Sequence, residues 1–265
     1  MNIFMIQFNN MEKLEIIDLS AAYHIKKEKK DLVVLRHLNL TINSNEFVVI
    51  VGKSGCGKTT LLKCIAGFQV YAGKILKDGV DIENIKTKDR NLSYVTQYNR
   101  LFPMKTVFDN IAFPLKMANS SYDEINTRVE EIAKLLNIEL LLARKPRQLS
   151  VGQQQRVCIA KALIKEADII LMDEPFSGQD APLREELCNI LKDVSKKSNS
   201  TFIYVTHDSN EALKLADKIV VIGDNGKIEQ VGTTSDIILK PKNNFVKEMF
   251  KDSNVLSRDM VNRND

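Results

Sequence analysis

The sequence predicts an α/β fold with a mostly parallel sheet, an antiparallel β subdomain at the N-terminal end and an inserted α-helical subdomain. Three observations predict it. Phe47-Val48-Val49-Ile50-Val51 is a short, continuous apolar run, the pattern of a strand buried on both faces. A glycine-rich turn follows, and after it the helical spacing of Thr60, Leu61, Leu62 and Ile65. Two more buried-strand runs, Ile169–Met172 and Thr201–Val205, flank an amphipathic helical stretch through Leu183, Leu187, Ile190, Leu191 and Val194.

The remaining elements follow in order. A strand begins near Leu14, and Lys26-Lys27-Glu28-Lys29-Lys30 forms a solvated hairpin that leads to a second one. From about Tyr98 to Leu163 the spacing of Ile125, Val129, Ile132, Leu135 and Leu136 is helical and no strand pattern intervenes, which marks the inserted subdomain. Ile219–Ile222 turns at Asp224-Asn225-Gly226 into Ile228–Val231, a hairpin signal. Beyond Asn243 the chain turns polar and ends in a short helix or a loose tail. One domain spanning 12–250 is expected, with the helical insertion at about 98–163 and a polar tail at 251–265.

The totals narrow the function classes. At 265 residues the chain can bury a substantial core, and 44% hydrophobic with 27% charged residues is ordinary for a soluble globular protein. Lys+Arg minus Asp+Glu is 38 − 34 = +4, too small an excess to point to nucleic acid, though it suits an anionic membrane face. Cys56, Cys64, Cys158 and Cys188 are scattered, and with three His in the chain neither a disulfide framework nor a zinc site is expected; reduced thiols in a cytosol are. No apolar stretch approaches the roughly 20 residues that span a bilayer. Met1–Phe8 is apolar but lacks a positive flank and a cleavage site, so no signal peptide is expected, and Met11 is an alternative start. Another chain must cross any membrane involved.

Three motifs carry chemistry. Gly52-Lys53-Ser54-Gly55-Cys56-Gly57-Lys58-Thr59 matches G-x-x-x-x-G-K-[ST] and makes the α/β core that of a P-loop NTPase. Its glycines let backbone N–H groups curl around phosphate oxygens, and the helix N-terminus behind it favours anions. Lys58 suits the β- and γ-phosphates, and the Thr59 hydroxyl suits Mg²⁺. Asp173 and Glu174 end a buried strand, which puts both acids at its carboxyl end beside the loop. An acid pair after a strand also occurs as a plain turn or cap; next to a P-loop it reads as a Mg²⁺ ligand (Asp173) and a water-polarising base (Glu174). In Leu149-Ser150-Val151-Gly152-Gln153, Ser150 and Gln153 have the spacing of a capping box.

That pentapeptide stands about twenty residues before the acid pair and continues Gln154-Gln155-Arg156-Val157. Here the sequence resembles ABC ATPases, whose signature is LSGGQ-like, and the resemblance runs from about Leu14 to Phe250. It implies that ATP and Mg²⁺ are the cofactors and that Gly52, Lys53, Ser54, Gly55, Cys56, Gly57, Lys58, Thr59 and Thr60 form the phosphate cradle. Tyr23 matches the aromatic residue that stacks on adenine. Gln97 matches the glutamine that senses Mg²⁺ and water, and His207 the switch histidine at the γ-phosphate. Ser150, Gly152 and Gln153 would complete the ATP site of a second subunit, and Asp180 would sit in the loop through which subunits communicate. Two positions depart from the pattern. Val151 replaces the commonest glycine, with little expected loss, and Gln179 makes the Asp180 loop more polar, which puts coupling between the ATP sites in doubt.

The resemblance implies a cycle: two subunits, identical or related, close head to tail on ATP and open after hydrolysis, driving transmembrane permease subunits that dock near Gln97. It places the protein in the cytoplasm, peripheral on the inner face of the membrane. Lys88–Asn91, Leu101–Pro103, Thr106–Asn110 and Phe176–Arg184 look like importer subunits for sugars, polyamines or small oxyanions, which implies an extracytoplasmic solute-binding protein as a further partner. The chain stops too early for the regulatory domain usual in the sugar type, so an importer without that domain is expected. An exporter subunit or a non-transport P-loop ATPase switch is the alternative. A nucleotide kinase shares the P-loop but not the signature, Gln97 and His207 together.

Overall fold

The computed structural model describes residues 12–25, 30–97 and 101–253. The lysine-rich turn at 26–29, Tyr98, the alternative start at Met11 and the tail from residue 254 lie outside them.

In chain order, β1 (Glu12–Ile25) and β2 (Lys30–Asn43) are long antiparallel strands, and β3 (Phe47–Val51) leads through the glycine loop into α1 (Lys58–Ala66). β4 (Ala72–Lys77), β5 (Val80–Asp81) and β6 (Leu92–Val95) follow, then three helices, α2 (Val107–Met117), α3 (Tyr122–Leu135) and α4 (Val151–Leu163). β7 (Ile169–Asp173), α5 (Ala181–Lys197), β8 (Thr201–Thr206) and α6 (Ser209–Leu215) come next. The described chain closes with β9 (Lys218–Ile222), β10 (Ile228–Gly232), α7 (Thr234–Leu239) and α8 (Asn244–Phe250).

Two sheets result. One is antiparallel, in the order β2-β1-β4-β5. The other runs β10-β9-β3-β8-β7-β6, with β9, β3, β8, β7 and β6 parallel and β10 antiparallel at one edge. Successive side chains of a strand point to opposite faces, so an uninterrupted apolar strand needs cover on both. Val48, Ile50, Ile169, Leu171, Ile203 and Val205 pack with α1 and the antiparallel sheet. Phe47, Val49, Val51, Ile170, Met172, Phe202 and Tyr204 pack with helices α2 to α8. Each such side chain contributes about 1.5–3 kcal/mol relative to exposure.

The parallel strands all end at one edge, and the loops that follow β3, β7 and β8 open there. The helical stretch holds α2, α3 and α4; Thr106, Ser121 and Ser150 cap them by accepting from Asp109, Glu124 and Gln153 N–H groups. Sequence periodicity reveals neither β4, β5 and β6 nor α6 and α7. β4 buries only Ile75 and β6 is four residues long, so neither shows an apolar run. The polar end of the chain contributes a short helix, α8, whose Val246 and Phe250 are buried.

Candidate active site

The loop between β3 and α1 is held in shape by sterics. A Cβ on Gly52 would lie 2.5 Å from the Ile222 carbonyl oxygen at the end of β9. Gly57 has φ +105° and a side chain there would strike Leu35. Gly57 occupies the cap position of α1 and offers no capping side chain, and the N–H groups of a helix start favour an anion such as phosphate. Lys58 opens the helix, is 4% exposed, and donates from Nζ to the carbonyls of Gly52 (2.8 Å) and Lys53 (3.0 Å). Burial pushes the Cys56 thiol up in the same loop, with Lys58 opposing the shift. Lys53 and Ser54 are exposed; Lys53 pairs with Asp224 at 3.1 Å and lies over the Phe245 ring of α8.

β7 brings its carboxyl end alongside. Asp173 accepts from the Thr59 hydroxyl at 2.8 Å and from the Tyr94 hydroxyl at 3.2 Å. Burial raises the Asp173 carboxyl above its ordinary value, the Thr59 and Tyr94 hydrogen bonds oppose the rise, and the Glu174 charge adds to it. A hydroxyl and a buried carboxylate that face each other are hard oxygen donors suited to Mg²⁺, and a cation there relieves the burial cost of the charge. Among the described residues no group of three or more His, Cys, Asp or Glu forms a metal cage.

Glu174 follows at φ +44°, a left-handed conformation uncommon for a residue with a side chain. Its N–H donates to Val205 of β8 at 2.9 Å, which fixes the turn. The carboxylate then reaches two cations or donors: Oε2 is 3.0 Å from His207 Nδ1, and Oε1 is 3.8 Å from Lys58 Nζ. Gln97, just beyond β6, is exposed and donates to the Ser177 hydroxyl at 3.5 Å, one turn after Glu174. Tyr23 of β1 reaches the Thr60 hydroxyl at 3.2 Å, at the start of α1.

Lys58, Thr59, Asp173, Glu174 and His207 thus converge, with Gln97 at their margin through Ser177 and Tyr23 at Thr60, the next residue of α1. Ser150, Gly152 and Gln153 have other partners. Ser150 and Gln153 exchange side chain-to-backbone hydrogen bonds at 3.3 and 3.0 Å, the full capping box. A Cβ on Gly152 would lie 2.6 Å from Leu183 Cδ2, so this glycine leaves room for that α5 side chain. Asp180 caps α5 by accepting from Leu183 N–H at 2.9 Å. Among the described residues no hydrogen bond joins Ser150 or Gln153 to the phosphate loop. Sequence reasoning missed Tyr94 as a holder of Asp173, and also the cluster of Arg184, Asp208 and Glu211 behind His207; no spacing or period in the sequence joins these residues to their partners.

The comparisons with known proteins agree on one family. The model for the ABC transporter family matches residues 35–177. The chain is 41% identical to the spermidine/putrescine import ATP-binding protein PotA of Haemophilus ducreyi over 96% of its own length and 69% of that protein's. It is 44% identical to PotA of Clostridioides difficile, over 94% and 70%. Among solved structures it resembles the dimeric bacterial ABC transporter cassette MJ0796, with a TM-score of 0.74 and 31% identity over 83% of this chain and 98% of that one. The same cassette has been solved in a dimeric post-hydrolysis state bound to ADP and Pi. cbiO1 of Clostridium perfringens, part of the transporter complex cbiONQ, superposes with a TM-score of 0.77 at 27% identity, over 87% and 92%.

Proposed function

The chain belongs to the ABC transporter family as an ATP-binding, ATP-hydrolysing subunit, and from that premise we propose that it energises the import of a polyamine-like organic cation through a separate permease. The convergence of Glu174, His207, Lys58 and the Thr59–Asp173 pair at the ends of β3, β7 and β8 carries the catalytic part of the reading. The relatives named above as polyamine importers motivate the cargo class. No helix among the described residues is long and apolar enough to cross a membrane, so permease subunits must supply the path. The cytoplasmic face of that permease is then the place of work, with an extracytoplasmic solute-binding protein delivering cargo. The working unit is a head-to-tail dimer, and Ser150, Gly152 and Gln153 at the α4 N-terminus close over the nucleotide of the other subunit.

Each residue has a task set by its chemistry. The N–H groups of the loop and of the α1 start hold the triphosphate, and Lys58 exchanges its carbonyl partners for phosphate oxygens. Thr59 and Asp173, together with Gln97, would hold Mg²⁺, which would neutralise charge on the phosphates. Glu174 accepts a hydrogen bond from the attacking water and takes up the proton it loses, as the water oxygen bonds to the γ-phosphorus and the bond to the bridging oxygen breaks, leaving ADP and phosphate. His207 orients Glu174 and faces the γ-phosphate. Tyr23 stacks against the base.

Sizing of Glu174→Gln with and without Mg-ATP tests this reading. A shift from monomer to dimer on adding Mg-ATP supports it. A variant that stays monomeric at saturating Mg-ATP, alone and with the permease, counts against the two-subunit site.

A further inference from the structure

Behind His207 lies a polar cluster that the ATPase site does not use directly. Arg184, in the first turn of α5, points its guanidinium three ways. Nη2 donates to the Gln179 carbonyl at 2.9 Å, Nη1 to Asp208 Oδ2 at 2.5 Å, and Nε faces Glu211 Oε1 at 3.5 Å. Glu211 is 5% exposed and accepts on its other oxygen from Tyr204 (2.8 Å) and Thr206 (2.6 Å). Asp208 N–H donates to Thr206 Oγ1 at 3.0 Å, and Asp208 Oδ1 caps α6. Both neighbours of His207 are therefore fixed, whereas its own ring is 53% exposed and meets the Glu174 carboxylate.

The same guanidinium also grips the loop before α5. Gln179 is the residue before Asp180, the α5 cap, so the Nη2 bond to its carbonyl reaches the loop itself, beside the ordinary helical bond from the Arg184 backbone N–H to the Asp180 carbonyl at 3.0 Å. Loop, helix start and His207 turn are bound into one body by a single planar fork, which a point charge could not reproduce. A small cavity lined by Glu174, Phe176, Gly178, Arg184, His207 and Asp208 lies between the two loops. A largely buried ion cluster is often no more stabilising than well-packed apolar residues in its place, because desolvation offsets the attraction. Stability alone is a weak reason for this one.

We propose that Arg184 is a positioning residue: by clasping the Gln179–Asp180 loop to the Asp208–Glu211 turn, it makes the placement of His207 follow the loop that faces the second subunit. This rests on the ATPase reading given above. The polar Gln179 side chain leaves the clasp intact, because Arg184 uses that residue's backbone carbonyl.

The test is steady-state ATP hydrolysis and thermal unfolding for the wild type, Arg184→Gln, Arg184→Lys, Asp208→Asn and the Arg184→Gln/Asp208→Asn double variant. Asn retains the α6 cap and removes only the charge facing Arg184. The expected result for Arg184→Gln is a kcat loss of roughly tenfold to a hundredfold from misplacement, with KM for ATP changed by less than about twofold. Asp208→Asn loses a similar factor, and the double variant loses no more than either single one. Arg184→Lys regains the melting temperature but not kcat, and it carries the test if the Gln variant fails to fold. Full kcat in Arg184→Lys, wild-type kcat in Arg184→Gln, or losses that multiply in the double variant would each overturn the proposal. Glu174→Gln, assayed alongside, reports on the ATPase reading itself: full turnover there sinks that reading whatever Arg184 does.

Discussion

The Glu174 carboxylate and the His207 imidazole meet at 3.0 Å although they leave different strands, β7 and β8. The meeting depends on a backbone feature. Glu174 turns at φ +44° while its N–H donates to Val205, so the side chain swings across to the end of the neighbouring strand. A carboxylate in that place, with Lys58 on its other oxygen, holds its orientation before substrate arrives.

Glu174→Gln preserves the shape of this arrangement and removes the base. ATP binding is expected to persist, because the phosphate loop and the two loop carbonyls that hold Lys58 are untouched. Turnover is expected to fall by about 10²–10⁴-fold, the range for losing a general base. Parallel measurement of nucleotide affinity and hydrolysis separates the two effects, and a matching loss of affinity would show that Glu174 mainly holds Lys58 in place.

Asp173→Asn is expected to divide stability from function. The folded Asp173 carboxyl titrates above its ordinary value of 3.8, chiefly through burial. The folded state therefore binds its proton more readily than the unfolded state does. Its contribution to stability is greatest below the unfolded value and declines as pH rises through the raised folded one. At neutral pH the ionised form is a cost, which Asn removes. The nucleotide-free variant should melt a few degrees higher, on the order of the shift that 1 kcal/mol produces in a domain of this size. It should lose Mg²⁺-dependent hydrolysis. An unchanged or lower melting temperature at pH 7, with the gap between variant and wild type failing to narrow towards acid, would contradict the argument.

What the sequence made legible follows from locality. β3, β7 and β8 are covered on both faces, so each is an unbroken apolar run, and the phosphate loop and acid pair lie at their ends. β4 shows only Ile75 to the core, and its lysines hide it from any pattern. The site residues that escaped are held by distant partners. Tyr94 and Asp173 lie 79 positions apart, and Arg184 and Asp208 lie 24 apart. Such pairs have no period and no motif, and only the fold brings them together. Gly152 is a related case. A glycine in a signature invites a ligand reading, yet its missing side chain is also what lets Leu183 approach.

Gly152→Ala sets two effects against each other. Alanine is the better helix former by about 0.8–1 kcal/mol. Its Cβ, however, would lie 2.6 Å from Leu183, and overpacking typically costs about 1–3 kcal/mol. Destabilisation is expected to win by about 1 kcal/mol in chemical unfolding. Leu183→Ala in the same chain should reverse the sign, since the alanine then meets open space; a double variant no more stable than Leu183→Ala alone would refute the packing account.

Ser150 has a cap role in the structure and a nucleotide role in the proposed dimer, and charge can separate them. Ser150→Ala removes the acceptor for Gln153 N–H and should cost about 1 kcal/mol of stability. Ser150→Asp keeps a good cap and adds a negative charge where the α4 N-terminus favours one, so the isolated subunit should be as stable as the wild type or more so. The same charge would face a triphosphate across the subunit interface, with a repulsion that the excluded water does little to screen. In the Glu174→Gln background, Mg-ATP should therefore drive dimerisation of Ser150→Ala, weakened, but not of Ser150→Asp. If Ser150→Asp dimerises as readily as the parent, the α4 N-terminus does not face nucleotide, and its capping box is purely structural.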